Sequence, residues 1–281
     1  MRQTNTDLTS AGSGGSSEAD AFRATPFYAA LRRALAPRGI DCEGLCDLRD
    51  AAARRLLAEY GAMFLAAETV RVPSVCVFRD EAAVEQFQRG AESRATELGG
   101  ATVELQAAAL DGLLAAREEA RAADLDITPR DGAEAARRGY DDTLRLWRSR
   151  VHPALDHWAG QGRLAATEAE RLRALAPDAQ LSEVLGLEEG GIFFSRDFSK
   201  SILYSVAAPG ASQHLSMLAF DAVEFTDERV RALLARHGWF QTVLSDLPHF
   251  TFLGVREKEL PNLGLKRVEE CGQTFWVPNL G

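Results

Sequence analysis

Nowhere in this 281-residue chain does an apolar run reach the ~18 to 20 residues that a membrane-spanning helix needs. The opening, MRQTNTDLTSAGSGGSSEADAF, also lacks the apolar stretch of a secretory signal. Its Ser, Gly and Thr content predicts a disordered leader over residues 1–24. Positive charge is short as well: 32 Lys and Arg face 41 Asp and Glu, giving a formal charge of -9. Without a basic field, nucleic acid and anionic membrane surfaces are not expected partners. Cysteine is scarce. Cys42, Cys46, Cys76 and Cys271 are too few and too scattered for a disulfide scaffold. Cys42 and Cys46 in CEGLC are near enough to bridge or share a metal, but all four read as ordinary small residues.

What the chain has is 46% hydrophobic and 26% charged residues, the composition of a soluble globular protein. Apolar residues recur at three and four from Pro26 to about Gly99, so residues 25–99 are expected to be a helical N-terminal region. Within it DEAAVEQFQRGAESRATELGG reads as one helix, from an N-cap at Asp80 to a stop at Gly99 and Gly100. A further helix is expected over 102–123, then a short strand and turn at LDITPRDG, then more helices between about 133 and 187. After Gly190 the texture changes. GIFFS, SILYSV, HLSMLAFDAVEF, TVLSD, HFTFLG and TFWVP read as short strands, with one helix at DERVRALLARHG. Helices first and strands last predict an α+β fold. Its second part, residues 100–281, would hold a small antiparallel sheet and a helical insertion at about 133–187.

Of the five histidines, His152, His157, His214, His237 and His249, only His214 and His249 stand in strand-like segments beside acids. Asp221 follows His214 by seven residues, and Asp246 precedes His249 by three. Two imidazoles and two carboxylates suffice for a zinc site with three ligands and one free acid to take a proton from water. A hydrogen-bonded core histidine is the competing reading. Asp221 inside LAFDAVEF needs a partner if buried, and a cation shared with His214, an arginine or an exposed strand edge would each serve. Trp147, Trp158 and Tyr140 read as core, RLWRSR at 145–150 as a solvated helix face, and His237 as a helix-end residue.

APGASQHLSMLAFD and SDLPHF together resemble the two halves of the zinc D-Ala-D-Ala carboxypeptidase family signature. The second half is closest to the L-alanyl-D-glutamate peptidases of that family, which include phage endolysins. The resemblance covers roughly residues 100–260. It implies a hedgehog/DD-peptidase-like fold, one Zn2+ held by His214, Asp221 and His249, and Asp246 as general base. It also implies an arginine beside the substrate carbonyl or carboxylate, for which Arg130 is the candidate and Arg196 the rival. Ser212 and Gln213 line the same turn as His214 and are expected to touch either the substrate or the groups that position the ligands. The activity implied is hydrolysis of an amide bond next to a D-amino acid in peptidoglycan stem peptides, and such a substrate places the protein in the periplasm or outside the cell. A cell-wall-binding protein that keeps the fold without turnover, or a structural protein, is the alternative. Met217 stands where the family usually has Gly, and is expected to narrow the pocket or alter the strand's approach to substrate.

Overall fold

The structure, a computed structural model, describes residues 14–281. Residues 1–13 of the expected leader lie outside the described residues. The remainder is largely helix, α1 (Gly14–Arg23), because Ala19 and Phe22 share one face and bury it. Phe22 meets the rings of Phe27 and Tyr28 edge-on. Helix α2 (Pro26–Leu35) begins at Thr25, whose Oγ1 accepts the Tyr28 N–H, with Pro26 in the first turn. The short α3 (Cys42–Leu45) and α4 (Ala51–Tyr60) follow, each started by an aspartate cap.

Helix α5 (Glu81–Gly90) starts at Asp80 as expected but ends nine residues before the expected stop at Gly99. Residues Ser93–Leu98 (β1) and Ala101–Gln106 (β2) form a β-hairpin instead. Gly99 and Gly100 have φ of 60° and 83°, the two positive values a tight hairpin turn requires. Val103 and Leu105 turn into the core and polar residues turn outward, so alternation and the glycine turn override the helix propensity of this Ala- and Glu-containing stretch. The next helix, α6 (Ala107–Ala122), therefore starts five residues later than expected.

The insertion holds α7 (Tyr140–Gly160), α8 (Ala166–Arg173) and α9 (Pro177–Glu189). Trp147 and Trp158 are buried there, with their indole N–H groups donating to Gln180 Oε1 and the Phe193 carbonyl; Tyr140 is half-buried. Beyond it come β3 (Ala219–Asp221), α10 (Glu228–Arg236), β4 (Trp239–Phe240) and β5 (His249–Phe252), and then the hairpin β6 (Leu265–Glu270) and β7 (Gln273–Pro278). The central sheet has the order β3-β5-β4 and is antiparallel throughout. The fold is α+β. GIFFS, SILYSV and TVLSD are not strands. Phe194, Ile202 and Leu203 are buried through turns, with residues Ile202–Tyr204 in a 3-10 turn capped by Ser201. LDITPRDG contributes only a bridge between Pro129 and Ala222.

Two large hydrophobic clusters and one small one make the core. The first joins α2 and the 61–65 turn to α6, α10 and the central sheet, so Phe27, Leu31 and Phe64 share it with Leu113, Phe220, Trp239 and Phe250. The N-terminal helices are thus one side of the same core as the sheet. The second cluster gathers Leu56 and Tyr60 of α4 with α7, α8 and α9, and the third packs Phe78, Val84 and Phe87 on Leu215. Cys46 and Cys76 form a disulfide across 30 residues, while Cys42 and Cys271 are free. The expectation of four ordinary thiols is corrected there, since packing of the two chain segments brings the pair together. Among the described residues no helix is long and apolar enough to cross a membrane.

Glu188, at the end of α9, is a buried acid whose Oε1 accepts the Ile202 N–H at 2.6 Å while Oε2 has no partner. Burial raises its carboxyl above the ordinary range, against the pull of the Ser201 hydroxyl and the Ile202 amide. A raised native value means stability that is complete below the unfolded value of ~4.3 and lost as pH climbs through the native one. Glu188→Gln keeps the accepting oxygen and removes the charge. The melting temperature of the variant relative to wild type should be higher at pH 8 than at pH 4.5; a difference independent of pH would contradict this.

Candidate metal centre

The segment 211–218 runs through the junction of the three clusters: Ala211 belongs to the second, Leu215 to the third and Leu218 to the first. Its entry is Gly210, at φ 79°, where an added Cβ would lie 2.0 Å from the Phe78 carbonyl oxygen. Only glycine fits so close to another backbone. Residues Gln213–Ser216 then make one 3-10 turn, which Met217 ends in the left-handed region at φ 55°. Met217 is fully buried and outside the cleft; its carbonyl accepts the Gln106 N–H. The expectation that it narrows the pocket is not met. The left-handed backbone at Met217 costs a non-glycine residue ~1 to 2 kcal/mol.

Strand register does the rest. In the β3–β5 pair Asp221 stands directly opposite His249, and the turn before β3 turns His214 toward both. His214 Nε2 lies 3.1 Å from His249 Nδ1 and 3.3 Å from Asp221 Oδ1, and His249 Nδ1 lies 3.1 Å from the same oxygen. All three side chains are buried.

The outer atoms fix where the ring protons are. His214 Nδ1 lies 2.7 Å from the Ala136 carbonyl, which can only accept, so Nδ1 carries the proton and Nε2 presents a lone pair. Gln213 Nε2 donates to the Tyr60 carbonyl, so Gln213 Oε1 is the atom facing His249 Nε2 at 2.9 Å. That nitrogen donates the second proton, and in a neutral ring His249 Nδ1 is then a lone pair too. With both rings neutral, three electron-rich atoms converge. An added proton on His249 Nδ1 leaves the third contact, between His214 and Asp221, unbridged, whereas a cation satisfies all three. Tetrahedral zinc with bonds of ~2.0 to 2.1 Å spaces its ligand atoms ~3.3 Å apart, so the residues present fit such an ion.

Charge supports the arrangement. Burial, with help from the Arg138 guanidinium, lowers the His214 pKa to about 4, keeping the ring neutral. Burial opposes ionisation of Asp221, but charge and hydrogen bonding from His214 and His249 hold the carboxyl well below the usual range. Arg138 Nη2 donates to Asp221 Oδ2 at 2.7 Å while Oδ1 faces the imidazoles. Asp221 thus has the arginine as partner on one oxygen and the two histidines on the other.

The cleft in front of these residues has a volume of about 540 Å³. Asp246 sits on its wall with its side chain open to cleft solvent, and its carboxylate makes no hydrogen bond or ion pair among the described residues. Desolvation by the close walls raises the Asp246 pKa and Asp221 raises it further, while His249, Arg138 and Arg130 pull it down. Arg130 lines the cleft half-exposed over the Phe225 ring, its amide donating to the Asp221 carbonyl. Arg196 stands exposed on the rim. Ser212 is buried in the lining, whereas Gln213 turns away from the cleft's solvent, since His249, Thr251 and Tyr60 engage both ends of its amide. His152 and His157 lie on α7, and His237 closes α10 on Glu119.

Two residues were missed from sequence. Arg138 comes from an irregular stretch where spacing says nothing; the only signal is the need of a buried Asp221 for a partner. Tyr60, from the N-terminal helices, lines the cleft and anchors Gln213. Protein-family models, curated proteins and solved structures return no match for this chain. The functional reading therefore rests on the residues themselves.

Removing one member of a buried ion pair leaves the other charge uncompensated, at a cost of ~3 to 5 kcal/mol. Arg138→Met should destabilise the metal-free protein by about that much in urea denaturation. A loss below ~1 kcal/mol, the value of an exposed pair, would contradict the pairing with Asp221.

Proposed function

We propose that the protein is a zinc-dependent peptidase that hydrolyses an amide bond next to a D-amino acid in peptidoglycan stem peptides. The observation that carries the metal is the convergence of His214 Nε2, His249 Nδ1 and Asp221 Oδ1 within 3.3 Å of one another. The substrate class comes from the resemblance of the two signature halves. Zinc bound there would act as a Lewis acid and lower the pKa of water in the cleft.

The chain's own residues supply the remainder. Gln213 and the Ala136 carbonyl hold the two imidazoles in the tautomers that aim their lone pairs inward. Asp246, unpaired and raised in pKa, takes a proton from the attacking water and returns it to the leaving amine nitrogen. Arg130 offers guanidinium donors from the cleft wall to the negative charge that develops on the carbonyl oxygen. A peptidoglycan substrate places the protein in the periplasm or outside the cell. The Cys46–Cys76 disulfide suits such an oxidising compartment. Met217, whose bulk would favour the non-catalytic alternative if it filled the cleft, lies outside it.

The test is incubation of zinc-loaded protein with stem pentapeptides, the products being identified by mass spectrometry. Cleavage beside a D-residue is expected, and Asp246→Asn should retain zinc yet lose ~10² to 10⁴-fold in kcat, the usual worth of a general base. No cleavage of any stem peptide, or full activity in Asp246→Asn, would overturn the proposal.

A further inference from the structure

We propose that Arg150 and Arg196, on the cleft wall built by and beside the helical insertion, form a subsite for a carboxylate that the substrate carries away from the bond to be cut. The identity of the substrate rests on the peptidase reading above; the binding itself does not.

Arg150 belongs to the RLWRSR cluster that reads from sequence as a solvated helix face. It is instead half-buried and lines the same cleft as Asp246 and His214. Its Nε donates to Ser205 Oγ at 2.7 Å and its Nη1 to Ser149 Oγ at 2.8 Å. Hydroxyls thus occupy two of its five N–H groups, and no carboxylate among the described residues pairs with it. Arg196 lines the same cleft and likewise has no acid partner among the described residues. Both guanidiniums line this one cleft, and burial, with the Arg196 charge, lowers the Arg150 pKa.

The cleft's charges otherwise pair off. Arg138 is matched by Asp221 at 2.7 Å and Arg130 by Asp131 at 3.7 Å, leaving Asp246 as the one lining acid without an arginine in contact. Two unmatched guanidiniums in one pocket of a chain of charge -9 are a local inversion of the protein's field. Exposed arginines on a surface are ordinary. One anchored by a neighbouring hydroxyl, half-desolvated and set beside a second guanidinium is stabilised by an incoming anion, and a carboxylate matches its planar donor fork. In a stem peptide, a carboxylate remote from the D-Ala-D-Ala bond is the α-carboxylate of D-Glu.

Binding is measured by calorimetry on metal-free protein, so that no turnover intervenes. The probes are L-Ala-γ-D-Glu-L-Lys-D-Ala-D-Ala, the same peptide with the D-Glu α-carboxylate amidated, and the peptide amidated at its C-terminus. A charge-assisted contact is worth ~1.5 kcal/mol or more, so amidation at D-Glu should weaken binding by wild type at least ~10-fold. Arg196→Gln and Arg150→Gln should each bring the acid and D-Glu-amide forms toward equal affinity, with unchanged affinity for the amide. Arg196 is exposed, so its variant tests the subsite without risk to the fold. Equal binding of the two forms by wild type, a preference that survives both substitutions, a loss seen only on C-terminal amidation, or no binding at all would each overturn the inference. Intact acid preference in a protein that cleaves nothing when zinc-loaded would uphold the subsite and sink the peptidase reading instead.

Discussion

Three buried lone pairs pointing at one another are the constraint around which the rest of this protein is arranged. His214 Nε2, His249 Nδ1 and Asp221 Oδ1 lie 3.1 to 3.3 Å apart, and with both rings neutral their lone pairs repel. Every element near them holds that repulsion in place: the Ala136 carbonyl and the Gln213 amide fix the ring tautomers, Arg138 neutralises the far oxygen of Asp221, and strand register sets Asp221 opposite His249. Buried polar groups are tolerated when satisfied, and the proposed cation would satisfy these.

The cleft in front of that centre is assembled from regions far apart in sequence. Tyr60 from the N-terminal helices forms part of its wall and holds Gln213, Arg130 and Phe225 line one part of it, and α7 contributes Arg150. Because α2 and the central sheet share one hydrophobic cluster, the N-terminal helices are structurally inseparable from the site. Removal of these helices is therefore expected to destabilise the whole protein.

The site was far more legible in the sequence than the fold around it. His214, Asp221 and His249 could be picked out on the resemblance of two signature halves, where spacing alone left a core histidine open, and strand register brings them together. Helix α5 was legible at its start, where Asp80 caps it, and not at its end. The hairpin at 93–106 was hidden by residues that also suit helices, and its Gly-Gly turn was read as a helix stop. Apolar GIFFS and SILYSV mimicked strands, yet they are buried through turns, which periodicity does not distinguish from a short buried strand. Arg138, the Cys46–Cys76 bond and the inward turn of Arg150 are products of tertiary packing alone, and no local pattern encodes them.

The most direct test of the proposed metal centre is elemental mass spectrometry of protein purified without added metal, for wild type, His214→Ala and His249→Ala. About one zinc per chain in wild type, absent from both variants while each remains folded, is the expected result. No metal in wild type even after zinc is supplied would contradict it, and the three converging atoms would then need a proton-bridged explanation.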